Sequence, residues 1–208
     1  MPGTEGTGPV RAGGGSPLVV CTTMVDVDRL VLVRHALPEL EPEVRTERWQ
    51  LGAEGRAAAR SLRSLVAEPA YLVASDEPKA IQTLQELAGS STVATDPGFG
   101  EVRRPHLWSG GRDYRLTARS YVEGVRHHGW EEHALVAARF SAAVSRHAVP
   151  AKARNRALVI GTHGLALTIW LVGLVRLEPG PAHFWEELRF PDVIDVDLVG
   201  RTATRRAG

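Results

Sequence analysis

Apolar residues along this chain fall into short unbroken runs separated by stretches with helical spacing. Leu30-Val31-Leu32-Val33 stops abruptly at Arg34 and His35. A continuous Val-rich run of this length reads as a strand buried on both faces, here over residues 28–33. Tyr71-Leu72-Val73-Ala74, Thr92-Val93-Ala94 and Ala157-Leu158-Val159-Ile160 repeat the form. Between the first two, Ala58, Leu62, Leu65 and Val66 recur at helical spacing, predicting a helix over 53–67 with Pro69 just beyond it. Asp76, Glu77 and Pro78 open the next helix with a capping carboxylate and an early proline, and it continues through Leu84 and Leu87 to Gly89. A further helix covers part of 115–125. A strong one spans 131–148, with Leu135, Val136, Phe140 and Val144 expected in the core and Pro150 following it. The fourth strand passes straight into an apolar helix over 164–175, and 184–190 and 193–199 read as the last strands. Strands alternating with helices predict an α/β fold: a three-layer αβα sandwich with a mostly parallel central sheet.

Composition sets the boundaries. Residues 1–17 hold six glycines and three prolines with no apolar period, so 1–26 is expected to be a disordered leader. Leu18 to Cys21 is too short an apolar core for the competing reading, a secretory signal, and Met24 is a candidate true start. Residues 27–200 form one domain, and 201–208, with Arg201, Arg205 and Arg206, a solvated basic tail. The formal charge of +1 argues against nucleic acid as a partner. The longest apolar run, about a dozen residues, is too short for a membrane span. The single cysteine excludes a disulfide framework and a multi-cysteine metal site, and fits a cytoplasmic protein.

Chemistry-bearing residues gather at strand ends. Arg34 and His35 follow the first strand, Ser75 follows the second with Lys79 one turn into its helix, and His163 follows the fourth. In open α/β sheets ligands bind outside the carboxyl ends of the strands. Two strands that each end in histidine are hard to explain by packing, because buried imidazole must be satisfied.

These residues resemble the signatures of the histidine phosphatase superfamily, the phosphoglycerate-mutase-like group. Leu32-Val33-Arg34-His35-Ala36 is similar to its apolar strand ending in Arg-His-Gly. The stretch from Ser75 to Gln82-Thr83 is similar to its Ser…Arg-Ala-x-Gln-Thr element, and Val159 to Gly164 to its strand ending in Ser/Thr-His-Gly. Glu101 stands where the family has a glutamate after the third strand, and Leu51 to Arg56 resembles its helix entry. The match is spread over most of 28–199.

The resemblance implies phosphoryl transfer in two steps through a phosphohistidine. His35 would attack phosphorus as a neutral imidazole, its other ring nitrogen fixed by a backbone carbonyl. Arg34 would bind two phosphate oxygens through its fork. His163, if protonated, would stabilise the charge of a metaphosphate-like transition state. The amides after Gly164 open a helix and would favour an anion. Glu101 would protonate the leaving alcohol and then activate water, with Glu39, Glu41 and Glu43 as rivals. No metal or other cofactor is implied, and the expected partner is a phosphorylated substrate, small molecule or protein.

Two departures stand out. Ala36 replaces the family's glycine, and Lys79 replaces its arginine, exchanging a planar fork for a compact charge. The loop after His35 carries Leu37, Pro38 and Glu41 and lacks what a mutase needs to shield its intermediate, so hydrolysis is expected over mutase activity. Residues 102–128, with six arginines, three histidines and two acids, read either as a basic rim for an anionic substrate or as a solvated face. Trp108 and Tyr114 are candidates to stack on a substrate ring. Two alternatives stand beside the phosphatase: a catalytically weakened relative that binds a phosphorylated ligand or partner, and a metallohydrolase using His35, His163 and His106.

Overall fold

The computed structural model describes residues 28–66, 69–89, 92–105 and 112–207. The predicted leader, His106 and Trp108 lie outside the described residues.

The runs that end at polar residues form the middle of one six-stranded sheet. β1 (Arg29–Arg34), β2 (Ala70–Ala74), β3 (Ala94–Thr95) and β4 (Ala157–Thr162) are parallel, while β5 (Asp192–Asp197) and β6 (Thr202–Arg205) run antiparallel on one side. The spatial order is β3-β2-β4-β1-β5-β6. β1 and β4 are therefore central and adjacent, with Arg34 in register with Thr162. This pairing brings Arg34-His35 and His163 to the same edge of the sheet.

Both faces of the sheet are covered, so its strands carry apolar residues on both sides. Leu30, Leu32, Leu158, Ile160, Ile194 and Val196 pack with α4 (His133–Ala153), α5 (Gly164–Val172), α3 (Arg112–Val122) and α6 (Pro181–Glu186), where Phe140, Tyr121, Trp170 and Trp185 fill the larger core. Val31, Val33, Ala74, Val159 and Val193 pack against Ala80, Leu84 and Leu87 of α2 (Pro78–Ala88), with α1 (Ala53–Ser61) beside it. Two helical layers thus enclose the sheet, the three-layer sandwich expected from the sequence.

Several elements differ from their expected form. The helix predicted over 53–67 ends at Ser61 and passes into a 3-10 turn over Arg63–Leu65. The third strand shortens to Ala94–Thr95. The 131–148 helix extends through Pro150 to Ala153; close to the end of a helix, a proline that fails to donate one backbone bond does not stop it. Leu135 is not core: it is 59% exposed, while Val136, Phe140 and Val144 are fully buried. The segment predicted as a strand over 184–190 begins as α6, opened by Pro181 at its first turn, and buries Phe184 and Trp185.

The basic tail is also corrected. β6 pairs with β5 through residues 202–205, and the arginines there have acidic partners. Arg206 reaches Asp195 through two bonds of 2.6 Å, and Arg205 reaches Glu187 at 2.5 Å. No helix among the described residues is long and apolar enough to cross a membrane.

Candidate active site

The carboxyl ends of β1, β2 and β4 and the loop after β3 surround a cavity of about 650 Å³. Arg34, His35, Lys79, Glu101, His163 and Gly164 all line it. Glu39, Glu41 and Glu43 are exposed and do not line it.

His35 is fixed at both ends. Its backbone N–H donates to the Thr162 carbonyl at 3.0 Å, and Nδ1 lies 2.8 Å from the Ala36 carbonyl. A carbonyl only accepts, so Nδ1 carries the hydrogen and Nε2 holds the lone pair. Burial, with the neighbouring His163 ring and the Lys79 charge opposing a second positive charge, holds the ring's pKa well below its ordinary value and favours the neutral form. The His35 and His163 ring centres are 5.0 Å apart. Ala36 does not strain this arrangement: the described non-glycine residues with positive φ are Asn155 and Arg201. Its methyl packs with Leu51 and Ala59, and its N–H donates to Thr83 Oγ1 at 2.9 Å.

Arg34 donates through Nη1 to the Leu188 carbonyl at 2.6 Å, and its guanidinium carbon lies 3.4 Å from the Phe190 ring centre. Burial lowers its pKa to about 10, and Nε is buried with no partner among the described residues. Gly164 serves this side chain directly. A Cβ there would lie 3.1 Å from Arg34 Nε and 3.3 Å from Nη2, so the missing methyl is what lets the guanidinium lie against the start of α5.

The amides that open α5 have a different acceptor from the one expected. Ala166 N–H donates to Glu101 Oε1 at 2.9 Å, as does Val102 N–H at 2.9 Å, and Leu165 N–H reaches Oε2 at 3.4 Å. The helix start thus positions the Glu101 carboxylate, an anion suited to the positive end of a helix, and these amides are not free for a ligand.

One residue of the site went unrecognised in the sequence. Glu77 is the N-cap residue of α2, but its side chain makes no capping bond. Its carboxylate, 10% exposed, turns into the cavity wall. Oε1 accepts the Glu101 N–H at 3.1 Å and lies 3.2 Å from His163 Nε2, and Oε2 accepts from the Lys79 ammonium. Lys79 also donates to the Thr46 carbonyl at 2.7 Å. The lysine expected to neutralise phosphate is therefore already paired. The available signal was a carboxylate two residues before Lys79, at a strand end already rich in site residues.

His163 Nε2 is also 2.9 Å from Ser75 Oγ, and Nδ1 is buried without a partner among the described residues. Burial, followed by the Lys79 charge, pushes its pKa well below the ordinary value. The direction of this shift favours the neutral ring in the free protein. Around the mouth, Leu37, Leu40, Trp49, Trp185 and Phe190 supply apolar surface and Arg103, Arg104 and Arg115 supply charge. Tyr114 lines the same mouth, with the Arg104 guanidinium 5.3 Å from its ring centre. Among the described residues no three His, Cys, Asp or Glu side chains are grouped to hold a metal ion.

A family model for the histidine phosphatase superfamily (branch 1) matches residues 30–191. The chain belongs to this superfamily. No curated protein matches the sequence. Among solved structures, this histidine phosphatase is similar to a mycobacterial glucosyl-3-phosphoglycerate phosphatase, with 19% identity over 86% of this chain and 97% of that one and a TM-score of 0.62. The complex of that phosphatase with inorganic phosphate has a TM-score of 0.64, also at 19% identity, over 87% and 96% of the two chains. A protein from Thermus thermophilus is 25% identical over 86% of this chain and 99% of its own, with a TM-score of 0.54. At their level of identity, the first two likenesses show the fold alone.

Proposed function

We propose that this histidine phosphatase is a metal-independent phosphomonoesterase that works through a phosphohistidine at His35. The observation that carries the reading is the state of His35: buried, neutral, and anchored through Nδ1 so that the Nε2 lone pair is the free nucleophile. Nε2 forms a bond to phosphorus as the ester P–O bond breaks, and Glu101 delivers a proton to the departing alcohol oxygen. Glu101 Oε1 is held by two amides, so Oε2, with its single 3.4 Å contact, is the oxygen that exchanges the proton. Water then attacks phosphorus, gives a proton to Glu101, and releases inorganic phosphate as the N–P bond breaks. Arg34, whose Nε has no partner among the described residues, binds phosphoryl oxygens.

The cavity has the size of a small-molecule site. Its apolar mouth edged with arginines suits a phosphorylated metabolite with an apolar or sugar body and a second anionic group. Glucosyl-3-phosphoglycerate, for which the mycobacterial phosphatase is named, has a sugar body and a second anionic group of this kind. A mutase must keep its phosphoenzyme from water, and among the described residues nothing at the mouth favours that, so hydrolysis is the proposed outcome.

One observation favours the weakened relative as a second reading: Lys79 is tied to Glu77 and Thr46. A screen of phosphorylated metabolites in the presence of a chelator, run with wild type and His35→Ala, separates the two. The phosphatase predicts turnover that survives chelation and is lost in His35→Ala. Ligand binding with no turnover of any ester supports the second reading.

A further inference from the structure

The proposed steps make no use of Glu77, yet two donors and the His163 ring converge on this buried carboxylate. The Glu101 amide lies 3.1 Å from Oε1, His163 Nε2 lies 3.2 Å from Oε1, and the Lys79 ammonium holds Oε2. The Glu77 N–H donates to Ser75 Oγ at 3.1 Å, and that hydroxyl lies 2.9 Å from the same His163 nitrogen.

The consequence falls on His163. A neutral imidazole carries one N–H. With a carboxylate and a hydroxyl facing Nε2, the hydrogen belongs on Nε2, and Nδ1 is left as a lone pair. Nδ1 is buried and has no partner among the described residues. A phosphoryl oxygen also offers only lone pairs, so it is held by Nδ1 only if Nδ1 gains a proton. A carboxylate 3.2 Å from the far nitrogen is an arrangement whose charge stabilises an imidazolium. Of the other groups that act on the ring, Lys79, Arg104 and Arg139 oppose a positive charge, as does Arg34 packed against Gly164, and Glu101 favours it. The neutral His35 ring sits 5.0 Å away. In the free protein burial and these cations keep the ring neutral, and an entering dianion reverses the balance.

We propose that Glu77 is a positioning residue that makes phosphoryl binding proton-coupled. Held by Lys79 and the Glu101 amide, its carboxylate keeps a negative charge beside His163 Nε2, while Ser75 Oγ holds the Nε2–H. Nδ1 takes one proton from solvent as the phosphoryl group enters and donates it to a phosphoryl oxygen. The inference rests on the reading of the cavity as a phosphoryl site. It also gives Lys79 a different task from the expected one: Lys79 fixes Glu77, and His163 carries the charge that meets the ligand.

The test uses tungstate, a tetrahedral dianion that does not itself titrate near neutrality. Calorimetric titration at about pH 7.5 in two buffers of different ionisation enthalpy counts the protons exchanged. Wild type is expected to take up about one proton per tungstate bound, and affinity falls as pH rises because the bound form holds the extra proton. Glu77→Gln keeps the shape and removes the charge; proton uptake falls toward zero and binding weakens roughly ten-fold, the equivalent of one pKa unit. The ¹⁵N shifts of His163 in wild type provide a readout that needs no variant, and they move from neutral imidazole to imidazolium on tungstate addition. Tungstate binding without proton uptake, or equal uptake in Glu77→Gln, overturns the proposal and leaves the phosphoryl site standing. If tungstate does not bind the wild type, the phosphoryl site and this inference fall together.

Discussion

Lys79 shows how residue identity and residue role part company. In the sequence it stands at a phosphate-binding position; in the fold, its ammonium pairs with Glu77 and the Thr46 carbonyl, 33 residues away in the chain. Lys79→Ala leaves the Glu77 carboxylate buried without its cation, so it is expected to cost about 3 kcal/mol of stability as well as activity. Urea unfolding of the single variants and of Lys79→Ala/Glu77→Ala measures this; the double variant should recover part of the loss, and equal losses in single and double variants would contradict a Glu77–Lys79 pair. Gly164 makes a second case. Its value to the site is the space it leaves for Arg34. Gly164→Ala is expected to displace the guanidinium and lower kcat/KM by about 10²-fold, with little change in Tm. The histidines and Arg34 were legible because strand ends announce them. Glu77 was not, because a glutamate before a helix-opening proline is equally well read as a cap, and only the absence of a capping bond decides.

At the scale of elements, apolar runs located β1, β2 and β4, since strands covered on both faces are apolar throughout. The edges were less legible. β6 is short, has exposed positions, and draws its order from partners far away in the chain: β5 and the Arg206–Asp195 pair. Charge alone made this segment look like a solvated tail. Truncation after Arg201 is therefore expected to lower Tm by roughly 5 °C, measured by differential scanning calorimetry, where a free tail predicts no change. The residues after Pro181 were misread for a related reason. Phe184 and Trp185 are as suited to a strand as to a helix, and Pro181 at the first turn settles the matter in favour of the helix.

For the whole molecule, two neutral histidines buried at one site tie stability to pH. Both have pKa values pushed below the ordinary 6.5 by burial. The unfolded chain therefore binds protons that the folded one refuses, and stability falls as pH drops below about 6.5. Melting curves from about pH 7.5 down to about pH 5 are expected to show a declining Tm, with a smaller decline in His163→Asn. The arginine-edged mouth adds a long-range effect. The kcat/KM for an anionic ester is expected to fall between about 10 and 150 mM salt as the Debye length shrinks, and a flat profile argues that Arg103, Arg104 and Arg115 do not steer substrate. The central claim, covalent chemistry at His35, has a more direct test. Rapid acid-free quench of the enzyme with a turned-over phosphoester, followed by peptide mass spectrometry, should find an acid-labile phosphoryl group on His35 that forms no slower than turnover. Full turnover with no phosphoryl group on His35, or undiminished activity in His35→Ala, would contradict the account.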